Sequence, residues 1–185
     1  MSSTNTAAKR VAVVGLGNVL MGDDAFGPYV VETLAARYSF PENVRLEDLG
    51  TPSLELVGYI SDADALIVLD AVHADGRPGE IRTLTRAEIL EKPIQPRVSP
   101  HEPGLKEALL ITEFGGRGPA EVLLVGAIPE KTSTGVGLSP AVREAIPRAV
   151  AEVIRELRRL GVEATERGDA SGPRVWWEEE AAVLH

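Results

Sequence analysis

The distribution of apolar residues along the chain predicts a series of β-strands. Residues 11–16 and 65–72 are nearly continuous runs of apolar, largely β-branched side chains, which is typical of parallel strands covered on both faces. Residues 44–49 alternate between apolar and polar, and residues 121–128 are again largely apolar, so we expect these segments to be further core strands. Residues 80–84 are expected to form a short edge strand.

Between these strands, apolar residues recur at spacings of three and four, which is typical of helices packed on one face. We expect helices over residues 28–38 and 103–111, and another after Thr51, which can cap it. Ser139 can cap a long terminal helix that ends at Gly161, with a kink or a split at Pro147. Strands that alternate with helices predict an α/β fold, a doubly wound, mostly parallel twisted sheet of about five strands with helices on both faces.

The length of 185 residues is enough for one hydrophobic core. We expect a disordered leader at residues 1–10, one α/β domain over residues 11–164 and an acidic tail at residues 165–185. The tail contains the adjacent pair Trp176 and Trp177. This pair could dock on the body or on a partner, or have no role, and docking is the favoured hypothesis.

Composition excludes several classes of function. Lys and Arg number 19 against 28 Asp and Glu, a net charge of −9, which argues against binding to nucleic acid or an anionic membrane. The chain has no Cys, so disulfides, thiolate metal sites, iron–sulfur clusters and a cysteine nucleophile are excluded. Apolar runs fall far short of the roughly 18 residues of a membrane span, and a cytoplasmic location is expected.

Polar residues that could carry chemistry follow the ends of several predicted strands. In a doubly wound sheet, ligands bind outside the carboxyl ends of the strands, so we expect these residues to meet at one edge. They are Asn18, Asp23, Asp24, Asp48, Gly50, Thr51, Asp70 and, from the loop of residues 97–103 between the third and fourth units, His101.

Each candidate also has an ordinary structural interpretation. Asp23 or Asp24 could be a helix N-cap, and Asp48 could form an Asx turn. Asp70 stands at the end of a buried strand, where an acid has to be paired, act as a cap or bind a cation. A lone histidine such as His101 is more often neutral and hydrogen-bonded than a ligand. The other two histidines are expected to lie in a solvated loop and at the chain terminus.

Two carboxylates with one imidazole form a ligand set that suits a borderline divalent metal such as Zn²⁺ or Ni²⁺. The spacing of these residues matches no compact metal motif. Gly15 and Gly17 begin like a dinucleotide-binding loop, but Leu20 stands at the third glycine position and the two acids that follow would repel phosphate. We therefore interpret the glycines as a tight turn that lets the backbone approach a ligand. No G-x-S-x-G elbow supports a serine hydrolase.

Five segments, in order and spacing, resemble the nickel–iron hydrogenase maturation endopeptidases. They are GLGNVLMGDDAFG from Gly15, DLGT from Asp48, DAV from Asp70, SPH from Ser99 and VGAIP from Val125. The resemblance extends from about residue 11 to residue 164. An ordered set of five motifs is more specific than any one of them.

The resemblance implies a protease that removes a C-terminal extension from the hydrogenase large-subunit precursor after nickel insertion. It places the family's metal-contacting residues on Asp24, Asp70 and His101. Nickel would come with the substrate, and zinc or cadmium could occupy the same ligands in vitro. The positions that surround the cleft fall on Asn18, Asp23, Asp48, Gly50 and Thr51. Ala25 replaces a glycine that many members have, and we expect a monomer with no nucleic-acid or membrane partner.

Without Cys or an activated Ser, amide hydrolysis has to use water, activated by a carboxylate base or by a metal. Either Asp24 or Asp70 could accept the proton, which gives an endopeptidase of aspartic or metal-dependent type. Two alternatives remain at this point. One is a nucleotide-binding α/β domain that uses Gly15 and Gly17, and the other is a non-enzymatic nickel chaperone.

Overall fold

The computed structural model describes residues 8–52, 55–91, 104–168 and 172–183. The strands in these ranges are β1 (Val11–Gly15), β2 (Tyr38–Ser39), β3 (Val44–Asp48), β4 (Ala65–Ala71), β5 (Ile81–Thr85), β6 (Glu121–Ala127) and β7 (Thr165–Glu166). The helices are α1 (Phe26–Arg37), α2 (Glu55–Ile60), α3 (Arg86–Glu91), α4 (Leu105–Phe114), α5 (Pro140–Arg143), α6 (Ile146–Arg159) and α7 (Trp176–Val183), and a 3₁₀ turn (Gly22–Ala25) precedes α1.

The central sheet has five strands in the order β3-β1-β4-β6-β5. The first four are parallel, and β5 pairs antiparallel with β6 at the edge. The chain passes from β1 outward to β3 and then crosses back over β1 to β4, so the direction of winding reverses between β1 and β4. This arrangement confirms the predicted doubly wound α/β fold and places a topological switch point at the carboxyl ends of these two strands.

Alternating side chains of the strands pack into two apolar cores, one on each face of the sheet. Val11 and Val13 of β1 pack with α1 and α6 on one face of the sheet. Ala12 and Val14 pack with α2 and α4 on the other. Covering both faces requires continuous apolar strands, which is why β1 and β4 could be recognised from their composition.

Helix α1 starts in direct contact with the sheet. A Cβ atom added at Gly27 would lie 2.3 Å from the carbonyl oxygen of Leu16 and 2.4 Å from that of Leu69. Only a glycine fits between these two carbonyl groups. The contact places the loop before α1 directly above the carboxyl ends of β1 and β4.

Several element boundaries differ from those expected. Helix α1 begins at Phe26 rather than at residue 28, because the 3₁₀ turn leads directly into it. The predicted terminal helix is split into α5 and α6, with Pro147 in the first turn of α6, as expected for a residue without a backbone N–H. Helix α3 and the β2–β7 pair were not predicted, since such short elements show no period. The loop before α4 and residues 53–54 lie outside the described residues.

Two elements lie within residues 165–185, the segment expected to form a tail. Strand β7 pairs with β2, and α7 packs on the body through Trp177, which is 3% exposed. The Trp177 ring meets the Tyr29 ring edge to face at 5.1 Å, whereas Trp176 is about half exposed. Docking of one tryptophan on the body is thus confirmed. None of the helices in the described ranges is long and apolar enough to span a membrane.

Candidate active site

The strand register brings the candidate acids to one edge of the sheet. Asp48 at the end of β3 pairs with Gly15, which in turn pairs with Leu69 of β4. Asp70 follows directly and pairs with Gly126 of β6. The register therefore places Asp48 and Asp70 at the carboxyl edge of the sheet, on strands that lie on either side of β1.

The loop after β1 is folded tightly over this edge. Gly17 adopts φ 134° and donates its N–H to the Gly50 carbonyl at 2.8 Å. A Cβ at Gly17 would lie 1.8 Å from the Asp24 carbonyl oxygen. The predicted tight turn is confirmed, but the group that approaches the glycine is the backbone of Asp24. The 3₁₀ turn that carries Asp24 also lies against β4.

Asp23 is fully buried and serves as a structural anchor. Its carboxylate accepts hydrogen bonds from Glu130 N at 2.8 Å, Lys131 N at 3.1 Å and Ser139 N at 2.6 Å. The Ser139 hydroxyl donates a further one at 2.9 Å. Four donors satisfy the lone pairs of a buried carboxylate, so Asp23 fixes the loop of residues 130–139 against the 3₁₀ turn.

Asp24 has a different environment from its neighbour. It is partly buried, and its Oδ2 accepts one hydrogen bond, from Asn18 N at 2.7 Å. Its Oδ1 receives none from the residues that the structure describes. The N-cap of α1 is Ala25, without a side-chain cap bond, so the helix-cap interpretation of the acid pair is wrong. Asp24 retains acceptor capacity for a ligand at the sheet edge.

The loop after β3 forms the Asx turn considered from the sequence. Asp48 Oδ1 accepts a hydrogen bond from Gly50 N at 2.9 Å, and Thr51 beside it is exposed. Although Asp48 is exposed overall, desolvation of its carboxyl raises its pKa, and the bond from Gly50 only partly offsets this effect. Burial, and then the charge of Asp48, also raises the pKa of Glu32 on α1. Asn18 completes this rim by accepting a bond from Leu20 N at 2.9 Å.

Asp70 and His101 are the other two residues of the expected ligand set. Asp70 is partly buried, takes part in a polar interaction, and by strand alternation points to the face of β4 that carries Leu66 and Val68. His101 lies outside the described residues. Within the described ranges, no three acidic or histidine side chains are grouped to hold a metal ion. The structure thus brings the 3₁₀ turn that carries Asp24 into contact with β4, the strand that carries Asp70.

Ser139 is the residue of this region whose full role was not expected. The sequence predicts a helix cap, and the Ser139 hydroxyl does accept a hydrogen bond from Val142 N at 3.4 Å. The same residue also provides two of the four donors to Asp23, 116 positions earlier in the chain. No local pattern signals a contact over such a separation.

The chain is similar to known proteins over most of its length. Residues 28–156 match the family model of HycI, described as hydrogenase maturation protease. The hydrogenase 2 maturation protease of Escherichia coli K12 is 39% identical over 159 residues, which cover 85% of this chain and 96% of that protein. The hydrogenase expression/formation protein HupD of Rhodobacter capsulatus is 37% identical over 168 residues, with 90% and 80% covered.

The similarity extends to solved structures. The hydrogenase maturating endopeptidase HybD from E. coli superposes with a TM-score of 0.78 at 38% identity and covers 86% of this chain and 99% of its own. A hydrogenase 2 maturation peptidase from a Thaumarchaeota archaeon superposes with a TM-score of 0.63 at 34% identity, with 81% and 99% covered. The fold, the edge where the acids meet and these similarities agree, and the chain belongs to the hydrogenase maturation protease family.

Proposed function

We propose that this protease removes a C-terminal extension from the nickel-loaded large-subunit precursor of a nickel–iron hydrogenase, and that Asp24, Asp70 and His101 contact the substrate's nickel. Membership in the family supports the reaction class, and the motifs that follow the strands support the choice of residues. Nickel is part of the substrate in this proposal, so the enzyme needs no resident metal.

The observation that carries the proposal is the division of roles between two adjacent acids at the switch point. The Asp23 carboxylate accepts four hydrogen bonds from the loop of residues 130–139. The Asp24 carboxylate accepts one, and its side chain is partly exposed. The turn that bears Asp24 lies against β4, at whose end Asp70 stands. The crevice between β1 and β4 is the usual ligand position of this fold, which supports a role for these two carboxylates.

Hydrolysis of the scissile amide then uses a water molecule. A carboxylate, Asp24 or Asp70, accepts one proton from the water as its oxygen bonds to the carbonyl carbon. That proton passes to the leaving amine nitrogen when the C–N bond breaks, so the products are a new carboxylate and the released extension. A positioned general base of this kind contributes about 10²–10⁴-fold to the rate.

The same residues can make the reaction dependent on nickel. A set of two carboxylates and one imidazole leaves coordination positions for groups of the precursor, so the precursor's nickel completes its coordination only when both proteins meet. A precursor without nickel lacks this contact and is held in a different position relative to the water. Discrimination then arises from a difference in binding free energy between the two precursor forms.

Single alanine substitutions test the proposal. Asp24→Ala, Asp70→Ala and His101→Ala should each abolish the mass loss of the nickel-loaded precursor in mass spectrometry, with circular dichroism spectra like that of the wild type. His73→Ala is the matched control, because His73 is exposed in the loop after β4. Full processing by the three variants, or none by the wild type, would contradict the proposal.

A further inference from the structure

A groove of about 850 Å³ lies between the loop of residues 130–140 and helix α7. Its walls carry charges of both signs, from Glu130 and Lys131 on the loop and from Arg143 and Glu178 on α5 and α7. Cationic and anionic side chains are balanced, so the groove does not have the basic character of a nucleic-acid site. It extends beyond the part of the chain matched by the family model, since α7 follows residue 156.

Contacts with the body of the protein hold helix α7 at the side of the groove. Trp177 is buried against Tyr29, and Glu178 accepts hydrogen bonds from the Tyr29 hydroxyl and, at 2.6 Å, from Arg143. The Arg143 guanidinium lies 5.3 Å from the centre of the Tyr29 ring. Burial, followed by the contact with Glu178, raises the pKa of Tyr29 to about 12. These contacts join α7 to α1 and α5.

The opposite wall of the groove is hydrogen-bonded to the 3₁₀ turn that carries Asp23 and Asp24. Glu130, Lys131 and Ser139 line the groove and also donate to Asp23, the neighbour of Asp24. Gly135 in the same wall donates its N–H to the Leu20 carbonyl at 2.9 Å. The wall of the groove is thus bonded directly to the segment that carries Asp24.

The surface of the groove suits an extended polypeptide. Small residues, Gly135 and Gly137 on one side and Ala182 on the other, leave room for side chains. Val136 and Gly137 make no backbone hydrogen bond with any residue in the described ranges, so their N–H and C=O groups are open to single hydrogen bonds from a bound chain. Gly137 has a φ of 98°, so the segment is a bend and not the edge of a strand. Val136 and the nearby Leu20 also expose apolar surface, at 38% and 56%.

We propose that this groove binds an extended segment of the precursor polypeptide and that α7 is a specificity-determining wall of the substrate site. The inference rests on the proposed function and adds a contact that does not involve nickel. The segment pairs with the open backbone at Val136 and Gly137 and packs its side chains against α7. A precursor without nickel therefore still occupies the groove, although it is not cleaved.

Filling the groove tests this inference. Ala182→Trp places a large ring in the groove from an exposed position, so the fold is preserved. We expect the KM for the nickel-loaded precursor to rise about tenfold with kcat within about twofold of the wild type. Glu180→Trp on another face of α7, outside the groove lining, is the matched control and should leave both constants unchanged. A KM of Ala182→Trp equal to that of the wild type would overturn the inference, as would an equal rise for Glu180→Trp.

A second measurement separates this inference from the proposed function. Hydrogen–deuterium exchange of the Val136 and Gly137 amides should slow when the wild type is mixed with metal-free precursor, and much less so in Ala182→Trp. Unchanged exchange in the wild type would overturn the proposal that the groove binds the precursor. Cleavage of nickel-loaded precursor would in that case still support the proposed protease function. If the wild type cleaves no precursor, both the proposed function and this inference fail.

Discussion

At the scale of single residues, two adjacent carboxylates differ because a 3₁₀ turn directs neighbouring side chains about a third of a turn apart. Asp23 points into the protein, where four donors converge on it. Asp24 is only partly buried and accepts one bond, from a backbone donor. A buried carboxylate without hydrogen-bond partners would destabilise the fold. The four bonds therefore allow an acid to occupy position 23.

Substitution of each acid by asparagine should show which of the two stabilises the fold. Asp23→Asn directs an amide NH₂ at backbone N–H donors, and we expect it to lower the free energy of unfolding by about 2–4 kcal/mol. Asp24→Asn should change it by less than about 1 kcal/mol, because that side chain has one hydrogen bond. Urea denaturation monitored by circular dichroism measures both values. Equal losses would show that the two acids share one role.

The docking of α7 should depend on pH through Glu178. Burial acts to raise the pKa of this carboxyl, but the hydrogen bonds from Tyr29 and Arg143 and the charge of Arg143 outweigh it, so the pKa lies below the ordinary value of 4.5. A lowered pKa means that the stabilisation is present above pH 4.5 and is lost as the pH falls through the lowered value.

Tryptophan fluorescence can follow this change, because the chain's two tryptophans, Trp176 and Trp177, both lie in α7. We expect the emission to shift to longer wavelength as the pH falls below 4.5, before helix content is lost. Glu178→Gln is the control, with emission already shifted at pH 7 and little further change in acid. If wild type and variant gave the same titration, Glu178 would not control the docking.

At the scale of elements, the backbone at the start of α1 packs directly against the backbone at the ends of β1 and β4. Gly27 makes this possible, since its missing side chain would meet the carbonyl groups of Leu16 and Leu69. The contact fixes the 3₁₀ turn, and with it Asp24, relative to the ends of β1 and β4. The position of Asp24 therefore depends on Gly27, a residue without a side chain.

Replacement of Gly27 by alanine should be costly despite the better helix propensity of alanine. We expect Gly27→Ala to lower the free energy of unfolding by about 3 kcal/mol, because rigid backbone atoms cannot move away from the new Cβ. Gly58→Ala in α2 is the matched control, since nothing lies within 4 Å of a Cβ there, and it should stabilise by up to about 1 kcal/mol. Thermal unfolding curves of the two variants test this difference, and a neutral Gly27→Ala would contradict the account.

The elements that the sequence predicted are those with long periodic patterns. The buried strands β1 and β4 and the amphipathic helix α6 could be identified because tertiary packing and local pattern favour the same structure. The two-residue strands β2 and β7 and the 3₁₀ turn have no such pattern. For the site, the positions of Asp48 and Asp70 follow from strand ends, whereas the anchoring of Asp23 depends on a loop more than a hundred residues away.

At the scale of the whole molecule, the reversal of winding between β1 and β4 creates the crevice, and distant parts of the chain supply its surroundings. The loop after β1, the end of β4 and the loop of residues 130–139 all meet there. Helix α7 adds a wall beyond the part matched by the family model. In the proposed function, the edge of the sheet carries the reaction and the groove adds a longer surface for the protein substrate.

The central claim is that cleavage requires the substrate's nickel, and a single competition reaction tests it. Nickel-loaded precursor of natural isotope composition and metal-free precursor labelled with ¹⁵N are mixed in equal amounts with the wild-type enzyme, and intact masses are recorded over time. We expect loss of the C-terminal extension from the unlabelled, nickel-loaded chains alone. Loss of the extension from both chains at similar rates would contradict the account.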